Sequence, residues 1–432
     1  MVIVCTINIC MKKIKKLLKK LGPGFITGAS DDDPSGIATY SQTGALFGYS
    51  QLWTALFTFP FMTVIQEMCG RIGLVTGKGL AAIIRRHYPR SILYFAVSLL
   101  VMANTINIGA DLGAMAASLQ LLINVPVLTL LIGITIVCVI LQVLIPYHVY
   151  ANILKYLTLS LFAYVITAFV VQQDWPLVLK AMIMPEFSFH KEYLLNIVAL
   201  LGTTISPYLF FWQASEEVEE EVENGKLRIM GIGIPKFNKR DIKNLRFDTI
   251  IGMFFSNLVM FFIILTTAST LGKHGITDIQ SADQAAQALQ PLAGNFAYLL
   301  FAFGIIGTGL LAIPVLAGST AYAVSEAVGW KTGLYRKFNK AHGFYGVIMG
   351  ATIIGLLMNF TSIPPFKLLY YTAVLNGLCA VPLMVLILLI SNNKSIMNKH
   401  TNGIFSNILG VSITGIMALC AVALLFSLFT AV

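Results

Sequence analysis

Eleven long apolar stretches constrain the fold of this chain more than any other feature. Each has about 18 or more residues with few charges, which is the length that an α-helix needs to cross a bilayer. With 57% hydrophobic and only 11% charged residues, the chain is not a soluble domain. The sequence predicts an all-α polytopic membrane protein with 11 transmembrane helices. The predicted spans are 24–48, 51–75, 91–121, 127–145, 152–172, 193–216, 248–272, 293–325, 343–360, 366–390 and 406–431.

The distribution of basic residues predicts the orientation. If the Lys-rich segment 12–20 is cytoplasmic, all 29 Lys and Arg lie on the inner side or at its boundary except Lys180, Lys191, Lys273 and Lys367. This is the positive-inside pattern, so the net charge of +10 reflects topology and not a nucleic-acid partner. An odd number of spans then predicts a cytoplasmic N-terminus and an extracytoplasmic C-terminus in the cell membrane.

Three consecutive carboxylates, Asp31, Asp32 and Asp33, interrupt the first apolar stretch. A charge at bilayer depth costs about 2.5 kcal/mol or more, so such residues usually face a cavity or a partner and mark an ion path. Pro34 disfavours helix at Asp33, and Gly36 lets the chain leave helical geometry. We therefore expect a broken helix whose carbonyl and carboxylate oxygens bind a hard divalent cation.

The alternative for this segment is a water-exposed loop in which Asp33 serves only as a helix N-cap. The flanking segments 24–30 and 37–48 are each too short to span a bilayer alone, which favours the broken helix.

A second interruption lies in the sixth stretch, at Gly202–Tyr208. As in the first stretch, a Gly precedes a Pro by five or six residues within an apolar helix. Paired interruptions in two halves of a chain indicate an inverted-repeat transporter with its site at the breaks. A simple proline kink is the alternative.

Two further polar segments are candidates for an ion route. Asn104, Asn107 and Asp111 in the third stretch share a helix face, and an intramembrane Asp is a functional candidate, although such residues also form interhelical hydrogen bonds. Residues 216–223 are rich in Glu and predict a cytoplasmic extension of the sixth helix with a solvated face. The alternative is an acidic inner vestibule that concentrates cations.

These motifs resemble the natural resistance-associated macrophage protein (NRAMP) family of divalent-metal transporters. The segment from Gly22 to Gly36 is similar to the family's Gly-Pro-Gly start and Asp-Pro-Gly-Asn break, and 71–80 is similar to its inner-loop signature. Ser206-Pro207-Tyr208 lies where the family carries Met-Pro-His. The resemblance covers most of the first six spans and implies the leucine-transporter type of fold, with two inverted five-helix repeats, one extra helix, and breaks in the first and sixth helices.

The implied organisation has five parts. They are a basic cytoplasmic tail (1–22), a first five-helix repeat (23–172), an extracytoplasmic loop (173–192), a second repeat with a cytoplasmic loop at 217–247 (193–390), and an eleventh helix with the C-terminus (391–432).

The resemblance also implies a metal site at the two breaks. It makes Asp33 the metal-binding carboxylate, the Thr203 carbonyl a second ligand, and Asp111 an acidic position linked to proton movement. The expected site residues are the metal ligands Asp33, Thr203, Ser206 and Ser30, the site-shaping residues Asp32, Gly36, Tyr208 and Asn107, and a proton or ion pathway through Asp111 and Asp31.

Departures from the family pattern change the expected ion. Gly36 replaces an Asn ligand, Ser206 replaces a Met, Tyr208 replaces a His, and a second acidic position is Ile108. Without the thioether, oxygen ligands and water favour hard ions, and Mg²⁺ gives up its waters reluctantly. The chain is thus similar to the NRAMP-related magnesium transporters or a branch near them. Tyrosine does not titrate near neutral pH as histidine does, so crowded carboxylates are the remaining proton carriers.

The predicted function is import of Mg²⁺ or Mn²⁺ by a secondary transporter that works by alternating access, with the lipid bilayer and the ion as partners, proton coupling left open, and no cofactor. One alternative is a Na⁺-coupled carrier of amino-acid-like organic substrates with the same fold. A remote alternative is an intramembrane aspartyl hydrolase using Asp33 and Asp111 as acid and base, but neither residue lies in a Gly-x-Gly-Asp motif.

Overall fold

The computed structural model describes residues 22–145, 158–188, 190–361 and 363–429. Apart from an isolated bridge between Ile229 and Ile232, all regular structure in these residues is helical, which confirms the all-α prediction. The α-helices are α1 (Pro23–Asp31), α2 (Pro34–Phe47), α3 (Trp53–Thr76), α4 (Leu80–His87), α5 (Arg90–Gln120), α6 (Val127–Leu144), α7 (Phe162–Val170), α8 (Trp175–Ile183), α9 (Lys191–Thr204), α10 (Pro207–Glu223), α11 (Lys239–Ser269), α12 (Ala282–Ala286), α13 (Gln290–Ala293), α14 (Ala297–Val328), α15 (His342–Met358), α16 (Pro365–Asn392), α17 (Lys394–Met397) and α18 (Ile404–Phe429).

Each predicted span overlaps with at least one of these helices, although residues 152–157 of the fifth span lie outside the described residues. Within the described residues, seven helical segments are long and apolar enough to cross a membrane by length and composition. The exact number of eleven stays a prediction. The seven segments are Arg90–Gln120, Val127–Leu144, Lys191–Glu223, Lys239–His274, Ala282–Val328, Pro365–Asn392 and Ile404–Ser427.

The first and sixth predicted helices are both broken, as expected. Helix α1 ends before Asp33 and α2 begins at Pro34, whereas α9 ends before Ser206 and α10 begins at Pro207. Proline suits the first position of a helix because its missing N–H would be unpaired there anyway. Asp33 and Ser206 precede the prolines with extended backbone (ψ 172° and 136°), the conformation that a following proline favours.

Glycines bring both halves of the first broken helix into backbone contact with α11. A Cβ atom on Gly28 in α1 would lie 2.3 Å from the carbonyl carbon of Gly252. A Cβ atom on Gly44 in α2 would lie 2.3 Å from the carbonyl oxygen of Ile264. Small residues allow such close helix crossings, and no larger side chain fits at these distances. Helix α11 therefore runs alongside the break and contacts the chain on both sides of it.

A similar crossing holds the second broken helix. A Cβ atom on Gly202 in α9 would lie 2.1 Å from the carbonyl oxygen of Ala373 and 2.4 Å from the amide nitrogen of Gly377, both in α16. The last turn of α9 before the second break is therefore in backbone contact with α16.

Loops that are predicted to be cytoplasmic contact one another at one end of the helices. The N–H of Gly231 donates to the carbonyl of Gly77 over 2.8 Å. Glu67 accepts a hydrogen bond from Arg71 of the same helix (3.0 Å) and one from Arg246 (2.8 Å), and the second bond joins α3 to α11. The contacts place these basic loops together, as one side of a membrane protein would require.

The predicted cytoplasmic segment 217–247 contains the end of α10 and the start of α11, including the helical extension expected at 216–223. Helix α10 continues through Glu223 and α11 begins at Lys239, so the irregular segment is 224–238. Asn238 accepts a hydrogen bond from the N–H of Arg240 (2.8 Å), and Asp241 accepts one from the N–H of Asn238 (2.8 Å). This capping box starts α11 within polar sequence, about two turns before the apolar stretch on which the prediction was based.

The crossing of α1 and α11 should not tolerate even a methyl group. Gly252→Ala would place Cβ 2.3 Å from the carbonyl oxygen of Gly24, so we expect it to lower the free energy of unfolding by about 1–3 kcal/mol, as overpacking usually does. Thermal unfolding of the purified protein in detergent measures this change.

Gly133→Ala is the matched control. Nothing lies within 4 Å of the Cβ that it adds in α6, and alanine is the better helix former, so its stability should equal or exceed that of the wild type. Equal melting temperatures for the two variants would contradict the proposed close crossing.

Candidate functional site

The carboxylate of Asp33 lies at the first helix break and is buried, with 2% of the residue exposed. Its Oδ1 accepts hydrogen bonds from the N–H of Gly36 (2.7 Å) and the hydroxyl of Ser35 (2.6 Å). Its Oδ2 accepts one from the side-chain amide of Asn107 (2.9 Å). A carboxylate offers about four acceptor positions, so one position on Oδ2 is left for an ion. Asp33 is indeed an N-cap, but the water-exposed loop is wrong because the segment is buried.

Asn107 connects the carboxylate of Asp33 to α16. Its side-chain oxygen accepts a hydrogen bond from the hydroxyl of Thr372 (2.9 Å) while its amide donates to Asp33. Asn104, one turn earlier in α5, instead donates to the hydroxyl of Ser319 (2.8 Å) in α14. The two Asn side chains thus have different partners, and only Asn107 belongs to the site.

The second helix break contacts the first through Tyr208, whose hydroxyl donates to the backbone carbonyl of Ser30 over 2.8 Å. Within the second break, the hydroxyl of Ser206 donates to the carbonyls of Gly202 (2.8 Å) and Thr203 (2.7 Å). Each of these carbonyl oxygens keeps a second acceptor position. The structure therefore brings Tyr208 of the second break into contact with Ser30 of the first.

The other two Asp side chains of the first break turn toward α11. The hydroxyl of Ser256 donates to Oδ2 of Asp31 (2.5 Å) and lies 3.5 Å from Oδ1 of Asp32. The three consecutive carboxylates thus do not converge on one point. In the part of the chain that the structure describes, no group of three or more His, Cys, Asp or Glu is arranged to hold a metal ion, so carbonyls and water would have to complete any ion shell here.

Asp111 is fully buried in α5, and neither carboxylate oxygen forms a hydrogen bond to the described residues. Asp33 is its electrostatic neighbour. Together with Asp31 and Asp32 these residues make four buried carboxylates, and none forms an ion pair with a Lys, Arg or His among the described residues. A buried carboxylate without a partner is costly, so this cluster needs protons or a cation.

An acidic cavity of about 700 Å³ lies beside the start of α1 and the end of α10. The prediction of a solvated Glu face is wrong for Glu217 and Glu219, which are each 5% exposed. Glu219 accepts hydrogen bonds from the hydroxyl of Tyr322 (2.6 Å) and the N–H of Leu334 (2.6 Å). The alternative of an acidic vestibule fits better, although Arg336 and Lys337 also line the cavity. The acidic residues that line the cavity are Glu216, Glu219, Glu220 and Glu223.

Three residues near the breaks were not predicted. Tyr40 is fully buried two turns after Asp33, and this spacing on one helix face was a usable signal. Ser256 was visible as a polar residue within the seventh apolar stretch. Thr372 has no distinguishing sequence pattern, since its role comes from the packing of α16 against α5.

Comparison with known proteins identifies the family. The model described as natural resistance-associated macrophage protein-like matches residues 24–427. The chain belongs to the NRAMP family. A divalent metal cation transporter MntH of Caldanaerobacter subterraneus subsp. tengcongensis is 25% identical over 424 residues, which cover 96% of this chain and 94% of that protein. An MntH of Klebsiella pneumoniae is 28% identical over 313 residues, covering 71% of this chain and 72% of that protein.

Solved structures establish the fold. A manganese transporter of Eremococcus coleocola matches with a TM-score of 0.71 and 17% identity, covering 96% of this chain and 86% of that one. Mhp1, a nucleobase-cation-symport-1 family transporter, matches with a TM-score of 0.60 and 12% identity, covering 94% and 90%. The leucine-transporter type of fold is thus confirmed. Members of the NRAMP family are transporters without a cofactor and not enzymes, so the aspartyl hydrolase alternative is wrong.

The hydrogen bond between the two breaks should be measurable. Tyr208→Phe removes the donor to the Ser30 carbonyl, so we expect the free energy of unfolding to fall by about 1 kcal/mol. Amide hydrogen exchange at residues 28–36 should become faster because the end of α1 loses a contact. Tyr94→Phe, at a position that is 54% exposed, is the control and should change neither quantity. Wild-type exchange in Tyr208→Phe would contradict the contact.

Proposed function

We propose that this NRAMP-family protein imports divalent metal ions, Mg²⁺ or Mn²⁺, across the cell membrane by alternating access around the two helix breaks. The observation that carries the proposal is the cluster of four buried carboxylates with no basic partner among the described residues. A divalent cation supplies the positive charge that this cluster lacks. The comparisons support this proposal, because two relatives are named divalent metal cation transporters and one structural neighbour is named a manganese transporter.

The proposed ion shell combines few protein oxygens with water. Asp33 contributes one oxygen, Oδ2, because its other acceptor positions already receive hydrogen bonds. The carbonyls of Thr203 and Ser30 each contribute the acceptor position that Ser206 or Tyr208 leaves free. The lone pairs of the Ser206 hydroxyl are a further oxygen donor. Such a set has no sulfur ligand and leaves room for water, which suits Mg²⁺ and does not select soft metals.

The remaining predicted residues shape the site and its route. Asn107 fixes the orientation of Asp33, Tyr208 joins the breaks, Asp32 adds negative charge, and Gly36 allows the chain to approach the carbonyl of Asp31 closely. Asp31 and Asp111 provide the proton or ion pathway. Internal pH recorded during metal uptake tests whether protons move with the ion.

The proposed topology follows the positive-inside pattern. The N-terminal tail (1–22) and the loop 217–247 lie in the cytoplasm, and the loop 173–192 and the C-terminus lie outside. The chain divides into the repeats 23–172 and 193–390, and 391–432 forms the additional helix. In this orientation the cavity lined by Glu219 is the inner vestibule that attracts the released cation.

Replacing the central carboxylate should abolish transport. In proteoliposomes with an internal metal reporter, wild-type protein should give saturable uptake of Mg²⁺ or Mn²⁺, whereas Asp33→Asn should reduce it to the level of empty vesicles because it removes the charged ligand. Asp278→Asn, which changes a carboxylate with a 56% exposed side chain, should transport normally. Unchanged uptake by Asp33→Asn would remove Asp33 from the mechanism. Competition by amino acids and Na⁺ dependence, with no effect of metals, would favour the organic-substrate carrier instead.

Asn107, which donates to the Asp33 carboxylate, should also affect the affinity for the metal ion. Asn107→Leu removes the donor to Oδ2 of Asp33, and loss of such a supporting hydrogen bond typically weakens metal binding by about 10- to 100-fold. Asn104→Leu removes a buried Asn from the same helix and should lower stability without changing affinity, because its partners lie in α14. Titration calorimetry with Mg²⁺ and Mn²⁺ compares the two variants. Equal affinities would contradict the role of Asn107.

A further inference from the structure

An open cavity of about 580 Å³ lies between the end of α14 and the start of α15, at the predicted inner end of the ninth span. Its titratable lining residues are all basic: Lys331, Lys340 and His342 line it, and no Asp or Glu is among the described residues that do so. None of the three forms an ion pair with a carboxylate in the described ranges. The two lysines therefore give the cavity a positive charge that no described carboxylate offsets.

A further cationic side chain lies at the rim of this basic cavity. A Cβ atom on Gly329, which lines the cavity, would lie 2.3 Å from Nη1 of Arg85 in α4. Arg85 also donates to the backbone carbonyl of Glu326 (3.2 Å), so its guanidinium is held against the end of α14. The first residues of α15, His342 and Gly343, line the same cavity, and the first N–H groups of a helix attract phosphate because they have no partner within the helix. The chemistry of the cavity thus fits a phosphate group.

Trp330 indicates that the basic cavity lies at the membrane surface. The residue lines the cavity and is 49% exposed, and a Cβ atom on Gly343 would lie 2.5 Å from Cε3 of its indole. Tryptophan is enriched where a membrane meets water. In the proposed topology this end of the helices faces the cytoplasm, and the cytoplasmic leaflet carries anionic lipids. Lipid headgroups are therefore the phosphate source beside this cavity.

An exposed face of α15 leads away from the basic cavity. His342, Gly346, Gly350, Ile353 and Leu357 follow one another at spacings of three or four residues and so share this face. Ile353 is 49% exposed and Leu357 is 59% exposed. A Cβ atom on Gly346 or on Gly350 would have nothing within 4 Å. The helix surface next to the cavity is thus apolar, open and free of large side chains over two turns.

We propose that the basic cavity binds the phosphate group of an anionic phospholipid of the inner leaflet, and that one acyl chain of this lipid lies along α15 over Gly346 and Gly350. The positive charge favours the headgroup, and the exposed apolar face favours a lipid over free phosphate. Asn339 lines both this cavity and the acidic cavity, so the bound lipid contacts the loop that separates them. The role of the lipid is to hold this loop in place.

Trp330 is a natural reporter for the test. Full-length protein in phosphatidylcholine nanodiscs receives increasing mole fractions of phosphatidylglycerol with brominated acyl chains, which quench nearby tryptophans, and the signal of Trp330→Phe is subtracted. The wild type should be half-quenched at an about tenfold lower mole fraction of brominated phosphatidylglycerol than of brominated phosphatidylcholine, because each basic side chain near the surface contributes about fivefold to binding of an anionic lipid. The double variant Lys331→Gln, Lys340→Gln should lose this preference.

The matched control is the double variant Lys394→Gln, Lys399→Gln. Both lysines are exposed and lie on the same predicted side, but they do not line the cavity. It should keep the preference of the wild type. The proposal is overturned if the Lys331 and Lys340 variant keeps the preference, if both double variants lose it equally, or if inorganic phosphate competes as well as the lipid does. No transported ion is needed, so this proposal and the proposed function fail separately.

A second pair of variants tests the acyl-chain path. Gly346→Leu places a side chain on the path without a clash inside the protein, and it should raise the half-quenching mole fraction of phosphatidylglycerol about fourfold, the contribution of roughly one buried methylene group. Gly415→Leu is the control, since a Cβ atom at this exposed position of α18 also has nothing within 4 Å. It should match the wild type. Equal half-quenching fractions for the two variants would overturn the assigned path.

Discussion

Negative charge buried at a helix break is the constraint on which the rest of this structure depends. Asp33 is ionisable, 2% exposed and held by three hydrogen bonds, yet no basic side chain in the described residues offsets it or its neighbours. Neutral donors such as Asn107 orient the carboxylate without cancelling its charge. A site built in this way discriminates for positive charge first, and the geometry of its oxygen atoms then decides between ions.

The surrounding helices hold this charge in place by close packing. Glycine crossings fix α1 and α2 against α11 and fix α9 against α16, and the Tyr208–Ser30 hydrogen bond joins the two breaks. The hydrogen-bonded series from Thr372 through Asn107 to Asp33 then connects α16 to the proposed ion ligand. The position of the central carboxylate is therefore coupled to the packing of several helices.

Much of this could be predicted from the sequence because proline, glycine and buried charge act locally. The two breaks follow from Pro34 and Pro207, and the apolar stretches locate the helices. Which helix each polar side chain contacts is a tertiary property, so Asn104 and Asn107 share a predicted face but have different partners. The burial of Glu219 near the end of α10 could not be predicted for a related reason. The loop at Leu334 packs over this carboxylate and donates a hydrogen bond to it.

The uninterrupted helix α11 gives the first break an unexpected mechanical character. Its 31 residues run past the discontinuity, contact Gly28 on one side and Gly44 on the other, and bond to Asp31 between them. Bending α1 against α2 at the break would require α11 to bend or to lose its contacts with one of them. We therefore expect α1, α2 and α11 to move together as one rigid body. Movement between conformations is then left to the helices that pack against this unit.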